Sequence, residues 1–293
     1  MEFSLIALVV IWGINFPIIK VALEQIPPLG FNSLRFPLAS LAIFILLLVG
    51  GGMGLPERKD VLRVVGLGIL GNVGYQYFFI MGVAGTTAGN ASVILASVPA
   101  WTAMLSTAVG HERLPRAVWV GVAGAMLGIL LVVSGGQGLA FSFATLRGDL
   151  LMVGAALTWT VYTVGAKSLI GRYGPMRVTA WTLWVGTLGL VPMGLPSLRG
   201  VDLTQITLGA WAAVAYAGVF AISIAYALWN RGVSRIGNSR TAIYQNAVPV
   251  VAIITAWITL GERPGPLQIA GATLILVSVS LARARRRPAV TKA

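Results

Sequence analysis

The side chains able to do chemistry in this sequence are amides and aromatic rings set into apolar stretches, together with one arginine. Asn15, Asn72, Gln76 and Gln245 supply amides; Tyr75, Trp101, Trp159, Tyr162 and Tyr244 supply rings. Asn72 and Gln76 stand at i, i+4 with Tyr75 beside them, and Trp159 and Tyr162 lie one turn apart, so each pair shares a helix face. Such a set suits an uncharged or zwitterionic solute: amides serve its carboxylate, ring faces its ammonium, and apolar ring area its side chain. The same residue types also serve plain packing and hydrogen bonding between helices. Arg35 is the one charge inside an apolar run, roughly 9 Å from its start at 1.5 Å per residue. It is a candidate partner for a substrate carboxylate, the alternatives being snorkelling to the interface or satisfying carbonyls of a kinked helix.

Other chemistries are excluded by composition. The chain has no cysteine and one histidine, His111, so it has no thiol nucleophile and no cysteine- or histidine-rich metal site; neither metal nor cofactor is expected. The eight acidic residues, Glu2, Glu24, Glu57, Asp60, Glu112, Asp149, Asp202 and Glu262, all fall at the ends of apolar runs or between them. That placement offers no carboxylate proton relay and favours movement of solute down its own gradient. An integral-membrane enzyme acting on lipid or prenyl substrates is the alternative from a different class; it calls for a cluster of acids, histidines or an activated serine at one interface, and His111 has no evident partner.

The elements that position these residues follow from hydropathy. Of 293 residues 57% are hydrophobic and 10% charged, where a soluble domain has about 45–50% and about 25%. Ten apolar runs read as membrane spans, at 3–23, 29–49, 61–84, 91–110, 115–134, 149–169, 176–195, 208–230, 241–260 and 265–282. The first is read as a retained span, without a basic n-region or cleavage site. With the N-terminus inside, sixteen of the 21 Lys and Arg lie in inner connections or the tail and four in outer ones, as the positive-inside rule requires. Both termini are then cytoplasmic. The net charge of +13 therefore reads as a topology anchor that favours anionic lipid, and nucleic acid is not expected as a partner.

An internal repeat organises the spans. At an offset of 150, Pro99 meets Pro249, Glu112-Arg113 meets Glu262-Arg263, and Gly121 meets Gly271; at 147, Trp12 meets Trp159 and Pro28 meets Pro175. Five spans per half is an odd number, so the second half enters the membrane from the opposite side. Inverted repeats of this kind place a substrate at their interface near the midplane and rock about it. Pro99 and Pro249 fall mid-span, each removing a bond to the carbonyl four residues back, and are expected to kink their helices as paired hinges.

The stretch Trp12-Gly13-Ile14-Asn15-Phe16-Pro17, Leu34-Arg35-Phe36, and the endings Gly110-His111-Glu112-Arg113 and Gly261-Glu262-Arg263 resemble the two tandem EamA-type domains of the drug/metabolite transporter superfamily. Within it the chain is most similar to the YddG-type exporters of aromatic and neutral amino acids. The resemblance implies an all-α membrane protein of ten helices, as repeats at 1–134 and 149–282 with a linker at 135–148 and a basic tail at 283–293. It implies export or facilitated diffusion of amino acids and similar small metabolites across a bacterial inner membrane. Other metabolite classes, such as sugar phosphates or drugs, are the alternative, although one buried arginine is few for a phosphate. Gly124-Ala125-Met126-Leu127-Gly128 is a close-packing motif read as contact within the bundle, so a monomer is expected rather than a dimer.

Overall fold

Helix is the only regular structure among the described residues, as a lipid-facing backbone demands: each N–H and C=O must be satisfied within its own segment. The computed structural model describes residues 2–50, 52, 54–109, 116–134, 143–229, 244 and 247–284. His111, Glu112, Gln245, most of the expected linker and the tail beyond 284 lie outside the described residues. The helices are α1 (Glu2–Leu23), α2 (Pro28–Val49), α3 (Arg58–Gly85), α4 (Ala88–Leu95), α5 (Val98–Ala108) and α6 (Arg116–Ser134), followed by α7 (Phe143–Tyr173), α8 (Pro175–Gly194), α9 (Leu208–Trp229), α10 (Val248–Leu260) and α11 (Pro266–Ala284). Six of them, α1, α2, α3, α7, α8 and α9, are long and apolar enough to cross a bilayer; α6, α10 and α11 contribute shorter apolar stretches. Large apolar side chains such as Leu41, Leu48, Leu62, Leu188 and Ile258 are exposed on their outer faces, where lipid rather than water is the natural solvent.

The fourth apolar run differs from the expected kinked rod, for it is broken into α4 and α5. Pro99 has no N–H for the Leu95 carbonyl, so the chain turns at Ala96-Ser97, with the Ser97 N–H donating to Ile94 O at 3.1 Å and the Ala100 N–H to Ser97 O at 2.8 Å. Pro99 thus sits in the first turn of α5, where a missing N–H costs nothing. Pro249 occupies the same place in α10, just after a turn in which the Ala247 N–H donates to Tyr244 O at 3.0 Å.

Two wide turns were not expected. Ile69–Gly74 within α3 and Tyr216–Ile224 within α9 are π-helical, and such segments shift the phase of the side chains that follow. Tyr216, Phe220 and Ser223, four and three residues apart, would share one face of a regular α-helix; with the shift Ser223 is buried and donates to Ala39 O at 2.7 Å, while Phe220 remains 45% exposed.

The helices pack in pairs, α3 along α7, α2 along α8, α1 along α10 and α6 along α11. Glycine permits the last approach, because a Cβ on Gly128 would lie 2.8 Å from Gly271 O and one on Gly271 would lie 2.6 Å from Gly128 O. The small-residue motif Gly124–Gly128 is therefore used within the chain, against α11.

Candidate functional site

Residues of α1, α2, α3, α4, α5, α7, α9 and α10 line a cavity of about 80 Å³, measured as the volume that a water molecule's centre can reach. At roughly 10–15 Å³ per water on that measure it holds roughly five to eight waters, or one solute displacing about 150–240 Å³ of liquid water. The break between α4 and α5 lines it through Leu95, Ala96 and Val98, and the start of α10 through Val248 and Pro249. So do the repeat-related Trp12 and Trp159. Material from the two halves therefore meets at this cavity.

Six rings form a chain of contacts along its wall. Phe16 meets Phe79 at 5.9 Å between centroids, Phe79 stacks on Tyr75 at 5.6 Å, Tyr75 meets Trp159 at 4.8 Å, Trp159 meets Tyr226 at 6.1 Å, and Tyr226 meets Trp12 at 6.4 Å. All six line the cavity, and Trp12 and Phe16, one turn apart on α1, close the series. Edge and offset contacts of this type each contribute about 0.5–1.5 kcal/mol beyond burial, so the wall is stiff as well as apolar. Trp12 is fixed further by its indole N–H, which donates to Ala221 O at 2.9 Å.

Arg35 supplies the cavity's charge. It is 1% exposed, so it does not snorkel. Its Nε donates to Asn32 Oδ1 at 3.0 Å and its Nη2 to Gln76 Oε1 at 2.6 Å, while the rings of Phe31, Phe36 and Phe79 lie 5.0–5.8 Å from the guanidinium carbon. Placing an arginine at bilayer depth costs about 2.5–3.5 kcal/mol on insertion scales. Two hydrogen bonds to a charged group, at about 1.5–3 kcal/mol each, offset that cost without cancelling the charge. None of the lining residues is acidic, and no ion pair to Arg35 occurs among the described residues. A second unmatched group faces the same space. Asn15 is 7% exposed, and its Oδ1 has no hydrogen-bond partner among the described residues.

Of the residues singled out by sequence, the structure brings Asn15, Arg35, Tyr75, Gln76, Trp159 and Pro249 to one cavity. Tyr162 does not line it. Although it stacks on Trp159, its hydroxyl pairs with Thr182 Oγ1 at 3.1 Å and its ring lies against Gly71, between α3, α7 and α8. Trp101 also lies outside, on α5, its indole N–H donating to Ser97 Oγ at 3.0 Å; the break at Ala96-Ser97 resets the phase by which it was placed. Tyr244 is half-buried away from the lining, Pro99 stands behind Val98, and Gln245 lies outside the described residues. Asn72 donates to Thr182 O at 2.9 Å as a helix-to-helix bond. Sequence reading did not single out Phe79, and it named Trp12 and Phe16 for the repeat and the family motif rather than for the cavity. The i, i+4 spacing of Trp12 with Phe16 and of Tyr75 with Phe79 was the available signal.

One end of the bundle carries a separate polar cluster. Glu262, after α10, accepts from the Ala88 N–H at 2.9 Å and the Gly89 N–H at 3.2 Å, capping α4. Gln268 donates to Asn90 Oδ1 at 2.6 Å, Asn90 donates to Asp149 at 3.2 Å, Thr86 donates to Asp149, and Lys20 Nζ donates to Thr86 O at 2.7 Å. Asp149 was expected at a span end, but α7 begins at Phe143, which leaves this carboxylate nearly two turns inside the helix and fully buried.

A bundle of apolar helices around a cavity lined by aromatic rings and one arginine is the architecture of a multi-pass membrane protein. The chain belongs to the EamA-like transporter family, whose model matches residues 1–134 and 146–284, and with it to the drug/metabolite transporter superfamily. It is 28% identical to the uncharacterized transporter YyaM of Bacillus subtilis, over 91% of this chain and 88% of that one. It is also 28% identical to a probable terminal-alkyne amino-acid exporter of Streptantibioticus cattleyicolor, over 98% of this chain and 96% of the relative. A solved crystal structure shares the fold with a TM-score of 0.68 at 20% identity, each chain covered over 96%.

Proposed function

We propose that this transporter carries neutral amino acids, aromatic ones among them, out of the cytoplasm by alternating access. The observation that carries the reading is the cavity itself: a continuous aromatic wall beside a buried guanidinium that has no acidic partner among the described residues. A solute with one carboxylate and an apolar side chain completes that site, and the printed name of the Streptantibioticus relative supports the class. A phosphorylated metabolite would call for several converging cations, and Arg35 is the lining's one basic residue.

The architecture that fits this activity is ten spans in two inverted repeats, 1–134 and 149–282, joined by a linker at 135–148, with the basic tail at 283–293 and both termini cytoplasmic in a bacterial inner membrane. The lining by repeat-related residues supports that arrangement. The two breaks, at Ala96-Ser97 before Pro99 and at Ala247 before Pro249, are the hinges about which the cavity opens to either side. A Pro99→Ala variant that rejoins α4 to α5 turns over more slowly with KM unchanged; an unaltered rate would contradict the hinge. With no acid in the lining, transport runs down the solute's own gradient, in a monomer lodged in lipid.

Counterflow in proteoliposomes containing only the purified protein tests the reading. Vesicles loaded with an unlabelled neutral amino acid accumulate its labelled form without a pH or sodium gradient. No accumulation of any amino acid, even with a proton gradient imposed, would overturn the assignment.

A further inference from the structure

We infer that the cavity recognises both charged ends of a free amino acid, its carboxylate on Arg35 and its ammonium on Asn15 Oδ1. The inference rests on the amino-acid reading and specifies it: an acid without the amine, or an amine without the acid, fills half the site.

Two of the five guanidinium N–H groups of Arg35 are used by Asn32 and Gln76. The remaining donors, on a side chain buried at the cavity wall with no acidic partner among the described residues, are left for a carboxylate, to which a guanidinium donates in a paired geometry. Asn15 presents the opposite polarity. Its Oδ1 is a buried acceptor with no donor among the described residues, and an unmatched acceptor in a low-dielectric interior is costly until a donor arrives. The ammonium of an amino acid is such a donor, and the faces of Trp12 and Phe16, on the same helix as Asn15, add attraction for a cation. Phe79 links the two poles: its ring lies 5.8 Å from the Arg35 guanidinium carbon and 5.9 Å from the ring of Phe16, the neighbour of Asn15 in sequence. Arg35 and Asn15 therefore line one and the same cavity.

Charge balance sharpens the consequence. The site carries one uncompensated positive charge, so a decarboxylated amine meets repulsion in a medium that screens poorly. A deaminated acid neutralises Arg35 but leaves the Asn15 oxygen unmatched. A zwitterion answers both.

Counterflow competition with two matched series tests this: phenylalanine with phenethylamine and 3-phenylpropionate, and leucine with 3-methylbutylamine and 4-methylpentanoate. In the wild type the amino acid competes best, the acid about tenfold more weakly, and the amine at least about a hundredfold more weakly. Asn15→Leu, which keeps the volume and removes the acceptor, weakens the amino acid about tenfold and leaves the acid unchanged. Arg35→Gln erases the preference for the amino acid over the amine. An amine that competes as well as its amino acid in the wild type would overturn the role of Arg35, and equal weakening of acid and amino acid by Asn15→Leu would overturn that of Asn15. If neither phenylalanine, leucine nor any other amino acid shows counterflow, the amino-acid reading itself falls; amino-acid counterflow without this ranking overturns the two-pole site alone.

Discussion

The cavity and the polar cluster at the bundle's end are both buried, both draw on the two halves of the chain, and differ in one respect: whether their polar atoms are matched. At the end, the carboxylate of Glu262 meets two backbone N–H groups, Asp149 meets Thr86 and Asn90, and Asn90 meets Gln268. In the cavity, among the described residues, the guanidinium of Arg35 meets only two acceptors and Asn15 Oδ1 has no partner. A saturated network rigidifies, whereas an unsaturated one costs free energy in the empty protein and recovers it when a ligand binds. On the proposed function, the contrast assigns structure to the first region and solute recognition to the second.

Variants in the two regions should fail in different ways. Arg35→Gln has the largest effect: loss of a charged hydrogen-bond partner at about 1.5–3 kcal/mol raises KM for neutral amino acids roughly 10- to 150-fold in counterflow. Trp159→Ala, which opens the ring series between Tyr75 and Tyr226, raises KM for phenylalanine about tenfold and for alanine much less, a change of selectivity seen in the same assay. Asp149→Asn and Glu262→Gln lower the melting temperature of the detergent-solubilised protein, in line with about 1–3 kcal/mol for a disturbed buried network, while KM stays within about twofold. Tyr162→Phe gives the smallest effect, a loss of about 1 kcal/mol of stability from the Thr182 pairing without a change in substrate ranking. A variant at Asp149 that altered substrate preference, or one at Trp159 that altered stability alone, would break the comparison.

How far the sequence discloses this arrangement depends on what interrupts the helical period. Long apolar runs fix α1, α2, α3, α7, α8 and α9, because twenty or so lipid-facing residues have no alternative to helix. Counting to mid-depth finds Asn15, Tyr75, Gln76 and Trp159, which lie on helices with intact phase between their start and the cavity, or directly after a wide turn that leaves them facing inward. It misplaces Trp101, beyond a break that restarts the helix, and the Phe220 and Ser223 face, inside a π-helical turn. Neither interruption has a signature that composition alone betrays; Pro99 marks the first only as a missing N–H. Arg35 was visible as a buried charge, yet its amide and ring partners come from α3 and α2 together and required the fold. Asp149 was hidden for a simpler reason: the helix begins at Phe143, within a stretch whose Ser, Thr and Gly content reads as a loop.

The most direct test of the central claim is a thermal-shift series on the purified protein with and without phenylalanine and leucine, comparing wild type, Asp149→Asn and Arg35→Gln. A ligand that binds the folded state alone stabilises it by about 2.7 kcal/mol at one hundred times its Kd. The account predicts that the wild type and Asp149→Asn, the latter from a lower baseline, both shift upward with either amino acid, and that Arg35→Gln does not. An equal shift in Arg35→Gln, or none in the wild type, would contradict it.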